Sequence, residues 1–154
     1  CVSLNIKRLV IKYVTALAIT HCQDKNKFLI VRRPLDDDDL PGMWGLPAIS
    51  SAEKDDPKIS ANQIGFHKLG VSLKLGPKLI SGNQTRGTCL IHMDLYFAFM
   101  VGTPCISSAT GINYPGTIYT DWRWGIPLSL KQSARKGSLC CKLLIDATEY
   151  GPLS

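Results

Sequence analysis

The sequence predicts an α+β sandwich in which helices pack against a mixed β-sheet, as a single domain over residues 1–154. Three observations carry this. The 154 residues suffice to bury one sizeable core. The composition, 45% hydrophobic and 19% charged, is that of a folded chain. The segments also read in the order β-rich, helical, β, helical, which favours helices laid on a sheet.

The elements follow in order. Residues 9–20, LVIKYVTALAIT, are apolar and β-branched and predict a strand. The polar stretch HCQDKNK predicts a turn, and residues 28–33, FLIVRR, the returning strand of a hairpin. Pro34 and the acidic run at 36–39 mark a loop. Four like charges in a row repel and stay solvated, and nothing in them sets a metal geometry. Residues 40–48, LPGMWGLPA, form a turn-rich segment anchored by Trp44. A helix is predicted over 57–69, with Asp56 as N-cap, Pro57 at the first position and Gly70 just past the end. Gly65 within it costs about 1 kcal/mol relative to alanine, and either close packing or mere drift accounts for it.

Residues 71–80 and 88–101 predict two further strands, separated by a polar turn at 82–87. The partial alternation of CLIHMDLYFAFMV suits a strand with one covered face. Residues 102–115 predict a loop and TIYTDWRW a strand, in which Asp121 and Arg123 alternate with Trp122 and Trp124. Residues 127–134 and 138–147 predict two short helices joined at Gly137.

The formal net charge of +6 and pI near 9.1 suit an anionic partner such as a nucleotide or nucleic acid. A basic, soluble surface explains the same charge. Lysines and arginines are spread with no block of five, which weakens a nucleic-acid reading. No apolar run nears the ~18 residues of a membrane helix, and the first residues, lacking a charged stretch followed by an apolar one, lead to the expectation of no signal peptide. The six cysteines (1, 22, 89, 105, 140 and 141) contain no C-x-x-C pair, which argues against a zinc site. A chain of this size with an ordinary core does not need a disulfide scaffold. Cys140 and Cys141, in SLCCKLLI, are expected as buried thiols, and a reducing compartment, the cytoplasm, follows as the expected location.

A strand ending LIVRRP, then GMWGLPA, then a helix ending LGV resembles the Nudix superfamily. Typical members carry a Trp-x-hydrophobic-Pro-Gly-Gly turn. It is followed by a box of Gly, five residues, Glu, seven residues, then Arg-Glu-hydrophobic-x-Glu-Glu-x-Gly-hydrophobic. The interval from Pro47 to Gly70 matches the family's without a gap, and Pro57 and Ala61 fall where members commonly have them. The resemblance implies a Nudix-like α/β/α sandwich around a mixed β-sheet. It also implies hydrolysis of a nucleoside diphosphate linked to a group X. In that chemistry, glutamates three and four apart share a helix face and hold Mg²⁺ or Mn²⁺ through oxygen, and the metal activates a water.

Carried over residue by residue, the box is depleted. Its opening glycine is Ile49 and its first glutamate is Asp55. Its arginine is Gln63, the next glutamate Ile64 and the following hydrophobic Gly65. The two metal-binding glutamates are His67 and Lys68, and only Gly70 and Val71 match. Lys68 puts a cation where the metal should sit, and Glu53 and Glu149 are the chain's only glutamates.

The resemblance and the nearby acids nominate Asp55 and Glu53 as catalytic residues and Asp55 with His67 as metal ligands. Helix N-terminal charge complementarity explains the acids equally well. Arg33, Arg86 and Arg123, with Arg32, are candidates to clamp phosphates. Trp44 is a further substrate-binding candidate. Trp122 is another, as a stacking surface beside Trp124, although sheet packing accounts for both indoles. Asp94, on a strand face with His92, is a candidate stand-in base, although a solvent-facing strand position explains it equally well. Three functions follow. The first is a Nudix-type hydrolase. The second is a non-catalytic module binding a nucleotide or a protein, with Lys68 meeting phosphate in the metal's place. The last is a DNA reader like the C-terminal domain of adenine DNA glycosylases, a domain that in those enzymes follows a helical one.

Overall fold

The computed structural model describes residues 10–37, 40–51, 55–106 and 119–150, the side chains of 149 and 150 excepted. Its central strand is β1 (Val10–Ile19). Toward its C-terminal end, β1 is buried on both faces. Ala16 and Ala18 belong to one apolar core, and Leu17 and Ile19 to the other. The same division holds in β2 (Phe28–Arg32), where Phe28 and Ile30 face one core and Leu29 and Val31 the other. A strand covered on both sides needs no polar alternation, which is why both read as continuous apolar runs.

The expected hairpin between them forms only at its base. His21 donates its N–H to the carbonyl of Lys27 at 3.0 Å, and Thr20 and Phe28 make a single antiparallel bridge. A strand has two hydrogen-bonding edges, and those of β1 are taken by other partners. The short β4 (Ala48–Ser51) pairs with it antiparallel, and β6 (Cys89–Val101) pairs parallel from Val10↔Cys89 to Ile19↔Ala98. With β5 (Ser72–Arg86) added antiparallel to β6, the first sheet runs β4-β1-β6-β5 and is mixed, as predicted. Strand β2 instead centres a second sheet, between β3 (Trp44–Gly45) and β7 (Asp121–Gly125).

The predicted polar turn at 82–87 is also corrected. Strand β5 continues through Arg86, and the turn is confined to Gly87 and Thr88, with Gly87 at φ +60°. Cross-strand polar pairs hold this end: Ser81 donates to Asp94 at 2.6 Å, and the Asn83 amide oxygen lies 2.7 Å from His92 Nδ1. Such partners are invisible in a local reading of GNQTR. Register shifts near Gly76 and Pro77 kink this edge strand, a common guard against edge-to-edge pairing.

Helix α1 (Pro57–Gln63) begins as its sequence dictates. The Asp56 carboxylate accepts from the Lys58 N–H at 2.9 Å, and Pro57 opens the first turn. From Ile64 to Leu69 the coil widens to π geometry, ending at left-handed Gly70 with φ +67°. The N–H groups of Gly70 and Val71 both reach the carbonyl of Gly65. A Cβ on Gly65 would lie 2.5 Å from the Val71 carbonyl oxygen and 3.1 Å from Leu73 Cγ, so the glycine permits this closure. Ala61, Ile64 and Leu69 pack into one core. The opposite core is covered by α3 (Leu139–Tyr150), through Cys140, Cys141, Leu143 and Leu144. A 3₁₀ turn (Pro127–Leu130) and α2 (Lys131–Arg135) lead into α3 by way of Gly137, at φ +107°. The result is the expected helix–sheet–helix sandwich. Cys140 and Cys141 are buried free thiols, as predicted. Among the described residues, no helix is long and apolar enough to cross a membrane.

Candidate functional site

Along β1, Lys12 and Val14 precede Ala16 and Ala18 on the same face, so a charge appears where the α3-side core gives out. There a cleft of about 640 Å³ opens. Lys12 enters it from β1, Arg33 from just past β2, Gln63 and Lys68 from the helix, Arg86 from the end of β5, and Cys140 from the first turn of α3. Four cations therefore converge on one cavity. Among its described lining residues there is no carboxylate.

Lys68 is 5% exposed. Its ammonium donates to the Ala48 carbonyl at 2.6 Å and lies 5.1 Å from the centre of the Tyr119 ring. Tyr119 is itself fixed on β4, its hydroxyl accepting from the Ala48 N–H at 3.0 Å. Burial, reinforced by the charges of Arg33 and Lys12, pushes Lys68 down to about 8. Arg33 behaves oppositely. Burial opposes its charge, but the bond and charge of Asp37 outweigh that and raise the guanidinium above the ordinary arginine range. The Arg33–Asp37 contact is 2.9 Å, and the same carboxylate oxygen caps the Leu40 N–H at 2.9 Å, so the loop after β2 presents the arginine in a set pose. Arg86 is propped by Gln84 Oε1 and the Gly137 carbonyl, both at 2.7 Å. Cys140 Sγ lies 3.4 Å from Ser138 Oγ. A hydrogen bond from Cys141, with burial opposing and Ser138 and Arg33 assisting, holds the Cys140 thiol below its usual range.

Of the residues nominated from sequence, Arg33 and Arg86 meet in this cleft. Asp55 is exposed just ahead of α1 and is not among the residues lining the cleft, and Glu53 lies outside the described residues. His67 packs edge-on against Phe66, with ring centres 5.0 Å apart, and does not line the cleft. Trp44, Arg123 and Trp122 fall elsewhere, on the second sheet. Arg123 stacks over the Trp44 ring at 4.3 Å, and Trp122 meets Trp124 edge-on at 6.5 Å while packing against the α1-side core. Asp94 and His92 do share a face, 3.2 Å apart, but Ile91 and Met93 line the cleft, so the alternation turns the acid away from it. Burial is the largest single influence on Asp94 and disfavours its charge, yet Ser81, Lys78 and His92 together outweigh it and hold the carboxyl below its ordinary value, which makes it a weaker base. Sequence reasoning missed Lys12 and Cys140 as site residues. The signal for Lys12 was its isolation among apolar neighbours in VIKYV.

Mg²⁺ or Mn²⁺ does not fit this donor set. A hard divalent cation requires several oxygen ligands, whereas the helix offers an amide, an imidazole and an ammonium at Gln63, His67 and Lys68. No group of three or more His, Cys, Asp or Glu side chains poised for a metal occurs among the described residues.

No family model matches the sequence, and no curated protein matches it. Solved structures do match the fold. The MutT protein from Methanosarcina mazei Go1 superposes with a TM-score of 0.67 at 12% identity, over 96% of this chain and 97% of that one. The E. coli ORF135 protein gives 0.66 at 15% identity, over 92% and 90%. A NUDIX hydrolase from Nitrosomonas europaea gives 0.62 at 13% identity, over 90% and 70%. With the depleted box now seen as a well-formed helix beside a cationic cleft, the chain has the fold of the Nudix hydrolases.

Proposed function

We propose that the cleft binds a phosphorylated anion, a nucleotide or nucleoside diphosphate derivative, without a divalent metal, and that the chain is a binding module rather than a phosphohydrolase. The observation that carries this is the lining: Lys12, Arg33, Lys68 and Arg86 with no carboxylate among the described residues. Phosphoryl oxygens accept two parallel bonds from a guanidinium fork, and Arg33 and Arg86 are each held in place by groups outside the cavity. Lys68 supplies positive charge where the related fold would place a metal. Its ammonium is disfavoured by burial and by two like charges, and an anion relieves both.

Hydrolysis would need a water activated by a metal or a base beside the phosphorus. Asp94 is turned away and Asp55 lies off the lining. The test is to incubate the protein with ADP-ribose, nucleoside diphosphate sugars and nucleoside triphosphates, with Mg²⁺ or Mn²⁺, and to follow phosphate release. The expected result is retention of the nucleotide with no release. Metal-dependent turnover that disappears in Asp55→Asn would overturn the reading.

A further inference from the structure

We propose that Lys68 is a covalent site whose neutral amine condenses with the carbonyl of a phosphorylated aldehyde or ketone held in the cleft. This rests on the anion-binding reading above and extends it from charge recognition to bond formation. Lys68 lines the cavity, and among the described residues its Nζ has one hydrogen bond, to the Ala48 carbonyl at 2.6 Å. An ammonium has three N–H groups and a neutral amine two. On deprotonation one N–H keeps the Ala48 bond, and the lone pair is left for the cavity. No carboxylate among the described lining residues holds the proton on this nitrogen. Lys78, on the hairpin surface, provides the contrast, with Asp94 at 3.6 Å.

Desolvation and neighbouring cations are the two devices that make a lysine nucleophilic. Both operate here: the side chain is 5% exposed, and Lys12 and Arg33 act on it. Arg33 and Arg86 keep their charge when Lys68 loses its own, so a phosphate stays held while the amine reacts. The steps balance without an oxidant. The lone pair forms a C–N bond to the carbonyl carbon, and the π pair moves to oxygen, which takes a proton. Nitrogen gives up one proton to solvent, and the carbinolamine, its hydroxyl protonated from solvent, then expels water to leave an iminium. External hydride at that carbon gives a stable secondary amine.

With Lys68 at about 8, roughly a tenth of it is neutral at pH 7, and this exceeds an ordinary lysine by about two orders of magnitude. The experiment treats the full chain at pH 7 with glycolaldehyde phosphate and cyanoborohydride, and maps adducts by peptide mass spectrometry. Neutral glycolaldehyde is the control, and pyrophosphate the competitor. The expected result is an adduct at Lys68 formed on the order of 100-fold faster than at exposed lysines such as Lys25 or Lys131. It should be suppressed by pyrophosphate, slower with the neutral aldehyde, and absent in Lys68→Arg and Lys68→Met. Label spread over surface lysines with none at residue 68 overturns the proposal, as does equal labelling of Lys68 by both aldehydes. Calorimetry with pyrophosphate on the same sample separates the two ideas. Binding without adduct sinks only the covalent site, whereas no binding sinks the anion reading beneath it.

Discussion

Replacing Lys68 with methionine tests the cleft's electrostatics through stability. The lysine pKa falls from an ordinary 10.5 to about 8 in the fold. A depressed folded value means that the native state resists protonation of this amine. The stability associated with Lys68 is therefore full above the unfolded pKa and is lost as pH falls through about 8. A shift of that size corresponds to about 3 kcal/mol at neutral pH. Methionine fills a similar volume without charge, so it removes that cost. It also removes the bond to the Ala48 carbonyl, worth ~1–3 kcal/mol when a buried acceptor loses its donor. That loss is cushioned because the Tyr119 hydroxyl also donates to this oxygen, at 3.3 Å. The charge relief wins, and Lys68→Met should be more stable than the native chain by about 1–2 kcal/mol at pH 7. For a chain of this length that is a few degrees in Tm. The decisive assay is denaturant unfolding of both proteins from pH 7 to pH 10.5. The variant's advantage should shrink and reverse as the native lysine deprotonates. A difference between the two proteins that stays flat across that range would refute the reasoning.

Three further outcomes are expected. Arg33→Ala should weaken nucleotide binding by about 10- to 100-fold, since a buried charge-assisted contact is worth ~1.5–3 kcal/mol, as read by calorimetry. Gly65→Ala should destabilise the chain by more than ~1 kcal/mol despite alanine's better helix propensity, because its methyl would meet the Val71 carbonyl oxygen at 2.5 Å; chemical denaturation measures it. Asp94→Asn should leave nucleotide affinity within about twofold of native, because a mutation on the opposite sheet face shares no partner with the cleft; a lost affinity would show that Asp94 reaches the ligand.

The helix and the two central strands were legible because their signals are local. Asp56, Pro57 and Gly70 specify a start and a stop within one segment, and the apolar, β-branched runs at 9–20 and 28–33 specify strands. Strand partnership was not legible. Nothing in the side chains of β1 says that its edges belong to β4 and β6, so proximity along the chain suggested a hairpin with β2 that closes by one bridge only. The widening at Ile64–Leu69 was hidden for a different reason: α and π coils bury nearly the same apolar positions, and Gly65 was the only hint. For the site, register with the Nudix box set Lys68 against one of that box's metal-binding glutamates, and Arg33 and Arg86 were nominated from their charge. Lys12 and Cys140 come from distant segments that only the folded sheet brings together. Trp44 and Arg123 were chosen as separate ligand contacts, but they stack on each other.

On the proposed reading, Lys12, Arg33, Lys68 and Arg86 hold a phosphorylated anion in the cleft with no metal between them. Calorimetric titration of ADP-ribose in excess EDTA, and again in Mg²⁺, tests it most directly. Binding of equal strength in both, weakening as salt rises, is the predicted result. Binding that vanishes in EDTA and returns with Mg²⁺ would contradict it.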